Sequence, residues 1–109
     1  MNNWNNKTTK ELIKAVLSLK NEGEVERFLR DLLTPQEIIE FGKRWQAARM
    51  LNQNISYIQI VKTTGLSSTT VARVSRWLKR GMGGYRLAIQ RLENNIHHHG
   101  NSLLAKRSG

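Results

Sequence analysis

Two short helical patterns joined by a single glycine constrain this 109-residue chain more than any other feature. They lie in the stretch SYIQIVKTTGLSSTTVARVSRWLK, residues 56 to 79. Ser56 is a good helix cap, and a short helix is expected over Tyr57–Thr64. Gly65 stands where a tight turn needs a positive φ. A second helix is expected from about Ser67 to Arg80. Ile60 and Val61 face into the angle between the two, and Leu66 plugs its base. Val71, Val74 and Leu78 fall on one stripe and anchor the second helix from its inner face. Two helices locked at a steep angle, with one face of the second left free, make a helix-turn-helix over 57–79.

The free face of the second helix carries Ser67, Ser68, Thr69, Thr70, Ala72, Arg73 and Arg76, and Lys62 adds charge from the first. Short side chains allow close approach to a groove, and arginines supply charge and paired donors. The charge distribution points the same way. The chain carries a formal charge of +10, yet residues 1 to 40 are slightly acidic. Residues 41 to 92 hold Lys43, Arg44, Arg49, Lys62, Arg73, Arg76, Lys79, Arg80, Arg86 and Arg91, and no Asp or Glu. A merely soluble surface mixes its signs. A block of one sign is the footprint of a polyanion binder. Double-stranded DNA is the expected partner, because a helix enters the wide major groove of B-DNA more readily than the narrow one of A-form RNA.

Helical periodicity runs through the rest of the chain, and no stretch alternates like a strand. The first helix is expected from Thr8, with Glu11 at capping-box spacing and Leu12, Ile13, Val16 and Leu17 on its stripe. Asn21-Glu22-Gly23 reads as its end. A second runs from about Glu24 to Leu33. Thr34-Pro35-Gln36-Glu37 is the clearest start signal, with Thr34 as cap, Pro35 in the first turn and Glu37 reaching back. That third helix is expected to reach about Leu51, with Ile38, Phe41, Trp45 and Ala48 facing inward. After Gly81-Met82-Gly83-Gly84 a sixth covers about Tyr85 to Asn95, with Tyr85, Ala88, Ile89, Leu92 and Ile96 on its stripe. The expected class is all-α. One domain is expected over 8–96, between a flexible start (1–7) and a flexible basic tail (97–109).

The order of these signals resembles the tryptophan repressor superfamily. LTPQEI at 33–38, KRW at 43–45, the helix-turn-helix and GMGGY at 81–85 are similar to its Trp-repressor-like branch. The resemblance covers about residues 10 to 95. It implies a six-helix fold in which two chains interweave as a homodimer and present two recognition helices to a two-fold operator. It implies a transcriptional regulator, by family default a repressor. It also implies an effector pocket at Thr34, Arg44 and Arg73, the two arginines matching those that sandwich an indole. Two further positions depart from the family: Val74 stands in place of a small glycine, and Trp77 in place of a serine that helps hold the ligand's amino group. Both put bulk where the ligand would lie. The expectation is therefore that L-tryptophan is not the effector, and that Trp77 with Val74 fills part of that space. The plainer readings of Arg44 and Arg73 are a surface charge and a phosphate contact.

Other classes find little support. With no cysteine there is no disulfide and no thiolate chemistry, which fits a cytoplasmic, nucleoid-associated protein. No signal peptide and no membrane-spanning segment are expected. Gly81–Gly84 follows a helix and lacks the Lys and Ser/Thr of a phosphate loop, so it reads as a hinge. Consecutive histidines at His97–His99 make a poor metal cage. No catalytic residues, metal site or cofactor are expected. Two alternatives stay open: a non-specific DNA-organising protein, and an interaction module whose fifth helix docks an acidic partner.

Overall fold

The computed structural model describes residues 3–95, all of whose regular structure is helical. Ile96, His97–His99 and the basic tail lie outside the described residues. The chain divides between Ile39 and Glu40 into two compact units.

The first unit holds α1 (Lys7–Leu17), α2 (Glu22–Leu32) and the start of α3 (Pro35–Asn52). Helix α1 begins one residue before the expected Thr8, because Asn6 takes the cap: its side chain accepts from the Thr9 N–H at 3.0 Å. Lys7, placed in a flexible start by sequence, is therefore helical. Asn21 likewise caps the start of α2 by accepting from the Glu24 N–H, so it begins that helix where a stop was expected. The capping box at α3 forms as expected. Thr34 Oγ1 accepts from the Glu37 N–H at 3.1 Å, and a Glu37 carboxylate oxygen accepts from the Thr34 N–H at 2.9 Å. The bond from the Thr34 N–H, and next the Thr34 side chain, hold the Glu37 carboxyl below its ordinary pKa. Neither α1 nor α2 contains a buried residue; Leu12, Ile13, Val16, Leu17, Val25 and Leu32 are all exposed.

The second unit holds the rest of α3, α4 (Tyr57–Thr64), α5 (Ser68–Arg80) and a sixth helix, α6, over 84–95. Its core is Ala47, Ala48, Ile60, Leu66, Val71, Val74, Leu78 and Ile89. Each fully buried Val, Leu or Ile contributes roughly 1.5–3 kcal/mol by leaving water. Ala47 and Ala48 have no exposed surface, so α3 offers a flat seat for larger side chains opposite. Trp45 and Tyr85 stack at the edge of this core, ring centroids 6.3 Å apart. Phe41, expected to face inward, is exposed, and the Arg44 guanidinium lies 5.6 Å from its ring centroid. Leu92 is exposed as well, so α6 anchors through Ile89 and Tyr85.

Candidate nucleic-acid interface

The local chemistry of α4 and α5 sets their angle. Ser56 caps α4 by accepting from the Gln59 N–H, and Ser67 caps α5 by accepting from the Thr70 N–H at 3.1 Å. Gly65 closes α4 with φ +76°, in the left-handed region. The turn is locked by a buried hydroxyl. Thr64 Oγ1 donates to the Ile60 carbonyl at 2.7 Å and accepts from the Leu66 N–H at 3.1 Å. A buried N–H left without a partner costs about 1–3 kcal/mol, so this hydroxyl ties the turn to the helix before it. Leu66 then drops into the core beside Ile60, Val71 and Val74.

With Val71, Val74, Ser75 and Leu78 buried, α5 turns its other side outward. Ser67, Ser68, Thr69, Ala72, Arg73 and Arg76 are all exposed on it, and Lys62 is exposed on α4. Thr70 is half-buried, and its hydroxyl accepts from Ser67 Oγ at 2.9 Å. Seven of the eight residues expected at the interface are thus open, and Thr70 serves the cap. Among the described residues none of Lys62, Arg73, Arg76, Lys79 or Arg80 is in an ion pair; the pair present is Arg44–Glu40, at 3.8 Å.

Residues 7–93 match the family of the Trp repressor protein. The chain belongs to the Trp repressor family. It is 39% identical over 83 residues to the uncharacterized protein YerC of Bacillus subtilis (strain 168), covering 76% of this chain and 80% of YerC. Its fold is similar to that of a crystallised TrpR-like protein from Eubacterium eligens ATCC 27750. The TM-score there is 0.80 at 34% identity, over 85% of this chain and 96% of the other. A crystal structure of a candidate Trp repressor from Staphylococcus aureus gives a TM-score of 0.76 at 34% identity, over 81% and 88% of the two chains. The Trp repressor family is one of DNA-binding regulators, and this chain shares its all-α fold.

The residues of the implied effector pocket have separate local settings. Thr34, in the first unit, has its hydroxyl engaged in the capping box. Arg44 Nε is buried without a hydrogen-bond partner. Arg73 is exposed. Val74 is 2% exposed and belongs to the core, whereas Trp77, three residues on, leaves 51% of its surface open. The sequence did not single out Tyr57, Ser75, Lys79 and Arg80 as site residues, although all line one cleft with Ala72 and Arg76. Tyr57 and Ser75 are 18 residues apart, and no pattern along the chain links them.

Proposed function

We propose that this chain is a sequence-specific transcriptional regulator, a repressor, that reads the major groove with the outer face of α5. The observation that carries this is the division of α5 into a buried apolar face and an open face of small hydroxyls and of arginines that make no ion pair among the described residues. Thr69, Ala72, Arg73 and Arg76 lie at helical spacing along that open face, suited to base edges near its start and to phosphates further on. The missing acids between 41 and 92 remove the repulsion a carboxylate would meet at a phosphate backbone.

The working form is a homodimer on a two-fold operator. Helices α1 and α2 leave an apolar stripe uncovered, which a second copy would bury. The protein acts in the cytoplasm, at the nucleoid. No helix among the described residues is long and apolar enough to cross a membrane.

Its DNA binding does not depend on L-tryptophan. The bulk of Val74 and Trp77 supports this, with Val74 already part of the core that supports α5. Calorimetry is expected to detect no L-tryptophan binding at millimolar concentration, and operator affinity is expected to stay unchanged on its addition. A clear heat of binding or a large gain in affinity would overturn this. The DNA reading itself is tested by competition. A specific duplex should outlast excess random duplex, whereas a non-specific organiser would lose both equally. A partner-docking module would bind an acidic protein and neither duplex.

A further inference from the structure

Tyr57 opens α4, and its hydroxyl donates to Ser75 Oγ, midway along α5, at 2.5 Å. We infer that this bond is a strut that sets the angle and rotation of α5 against α4, making Tyr57 and Ser75 positioning residues that govern sequence specificity without touching a base. The inference rests on the DNA-binding reading above and deepens it.

The bond stands apart by its span. It joins residues 18 apart, and no other side-chain hydrogen bond among the described residues joins residues more than seven apart. Ile60, Leu66, Val71 and Val74 hold the two helices together by apolar burial, which has no preferred direction. At the turn, the Thr64 hydroxyl pins one end of α4. Tyr57 lies seven residues before Thr64, about 10 Å along the helix at 1.5 Å per residue. A pin at each end of α4 fixes an angle that the turn alone would leave free.

Stability does not account for Ser75. It is 3% exposed, on the same face of α5 as Val71, Val74 and Leu78. A buried hydroxyl costs free energy unless it is bonded, and serine is a poorer helix former than alanine. Alanine would serve the core as well. What serine adds is an acceptor for the tyrosine, and with it a directional contact between the helices.

Direction matters because the strut lies beside the reading face: Tyr57 and Ser75 line one cleft with Ala72 and Arg76. A rotation of α5 by about 10° moves an atom at the helix surface, about 5–6 Å from the axis, by about 1 Å. Hydrogen bonds to base edges work over a range of about 0.5 Å and would be lost. Attraction to phosphates reaches about 8 Å at physiological salt and tolerates the same rotation. Loss of the strut therefore costs specific binding and spares random binding.

The test is a double-mutant cycle on the full chain, with Y57F, S75A and Y57F/S75A each titrated on a selected operator and on a duplex of random sequence. Each single variant is expected to bind the operator about fivefold more weakly and the random duplex within about twofold of wild type. The double variant should lose no more than the worse single one, because the bond is already gone. I89V, in the core on α6, is the control that lowers the melting temperature and keeps the wild-type ratio of operator to random binding. If Y57F does not fold by circular dichroism, S75A is held to the same ratio. A wild-type ratio in the folded variants would overturn the strut and leave the DNA reading standing. So would additive losses in the cycle, or a ratio that falls equally in I89V. Equal weakening on both duplexes would make Tyr57 a phosphate contact instead, which also overturns it. A wild-type chain from which selection recovers no preferred duplex would remove the strut and sequence-specific reading together.

Discussion

Thr69 and Thr70 are neighbours in the sequence with different tasks. Thr69 is exposed at the start of α5, while the Thr70 hydroxyl is bonded to Ser67 in the cap. Thr69→Ala is therefore expected to lower the ratio of specific to random binding by about fivefold or more, with little change in the melting temperature. Thr70→Ala is expected to lower stability instead. Competition binding beside thermal melts separates the two, and equal loss on both duplexes from Thr69→Ala would mean that it reads no base. Gly65 is a second single-residue test. A Cβ there would meet nothing closer than Lys43 Nζ at 3.8 Å, so the cost of Gly65→Ala is purely conformational. A left-handed alanine costs about 1–2 kcal/mol, to be read from denaturant midpoints. Glu37 supplies a pH test. Its carboxyl is held below the ordinary value of 4.5 by its bonds to Thr34. The stabilisation is complete above 4.5 and disappears as pH falls through the lowered folded value. Helicity of the wild type should therefore fall more steeply below pH 4.5 than that of Glu37→Gln, and parallel curves would show that the box contributes nothing.

At the scale of elements, the bounds of α4 and α5 were legible almost to the residue, because each boundary has its own chemistry: Ser56 and Ser67 as caps, Gly65 as the left-handed stop. The start of α3 was equally plain, since Thr34, Pro35 and Glu37 agree. Helices α1 and α2 were displaced because asparagine both caps and ends helices, and Asn6 and Asn21 proved to be caps. Phe41 misled because helical spacing gives a stripe without saying what covers it. The cleft between Tyr57 and Ser75 was invisible for a different reason: it exists only once α4 and α5 cross. The end of α5 gives a prediction at this scale. A Cβ on Gly81 would collide with the backbone carbonyl of Trp77, which accepts the Gly81 N–H. Gly81→Ala must therefore distort the last turn of α5, where Lys79 and Arg80 stand. It is expected to lower the melting temperature and weaken binding to random duplex; an unchanged melt would show that the turn adapts freely.

At the scale of the whole molecule, the question is how the chain covers its apolar surface and what it recognises when it has done so. Leu12, Ile13, Val16 and Leu17 on α1 and Val25 and Leu32 on α2 are too many exposed apolar side chains for helices with no buried residue of their own. Sedimentation is expected to give a dimer at micromolar concentration, and a folded monomer there would contradict the assembly proposed. A symmetric dimer carries two copies of α5 related by a two-fold axis, so its preferred DNA must carry the same symmetry. Selection of bound duplexes from a random pool tests this most directly. The account predicts an inverted-repeat consensus with half-sites about one helical turn apart, lost when Thr69 and Arg73 are both changed to alanine. A pool that stays random after repeated selection, although the protein binds it, would contradict sequence-specific recognition.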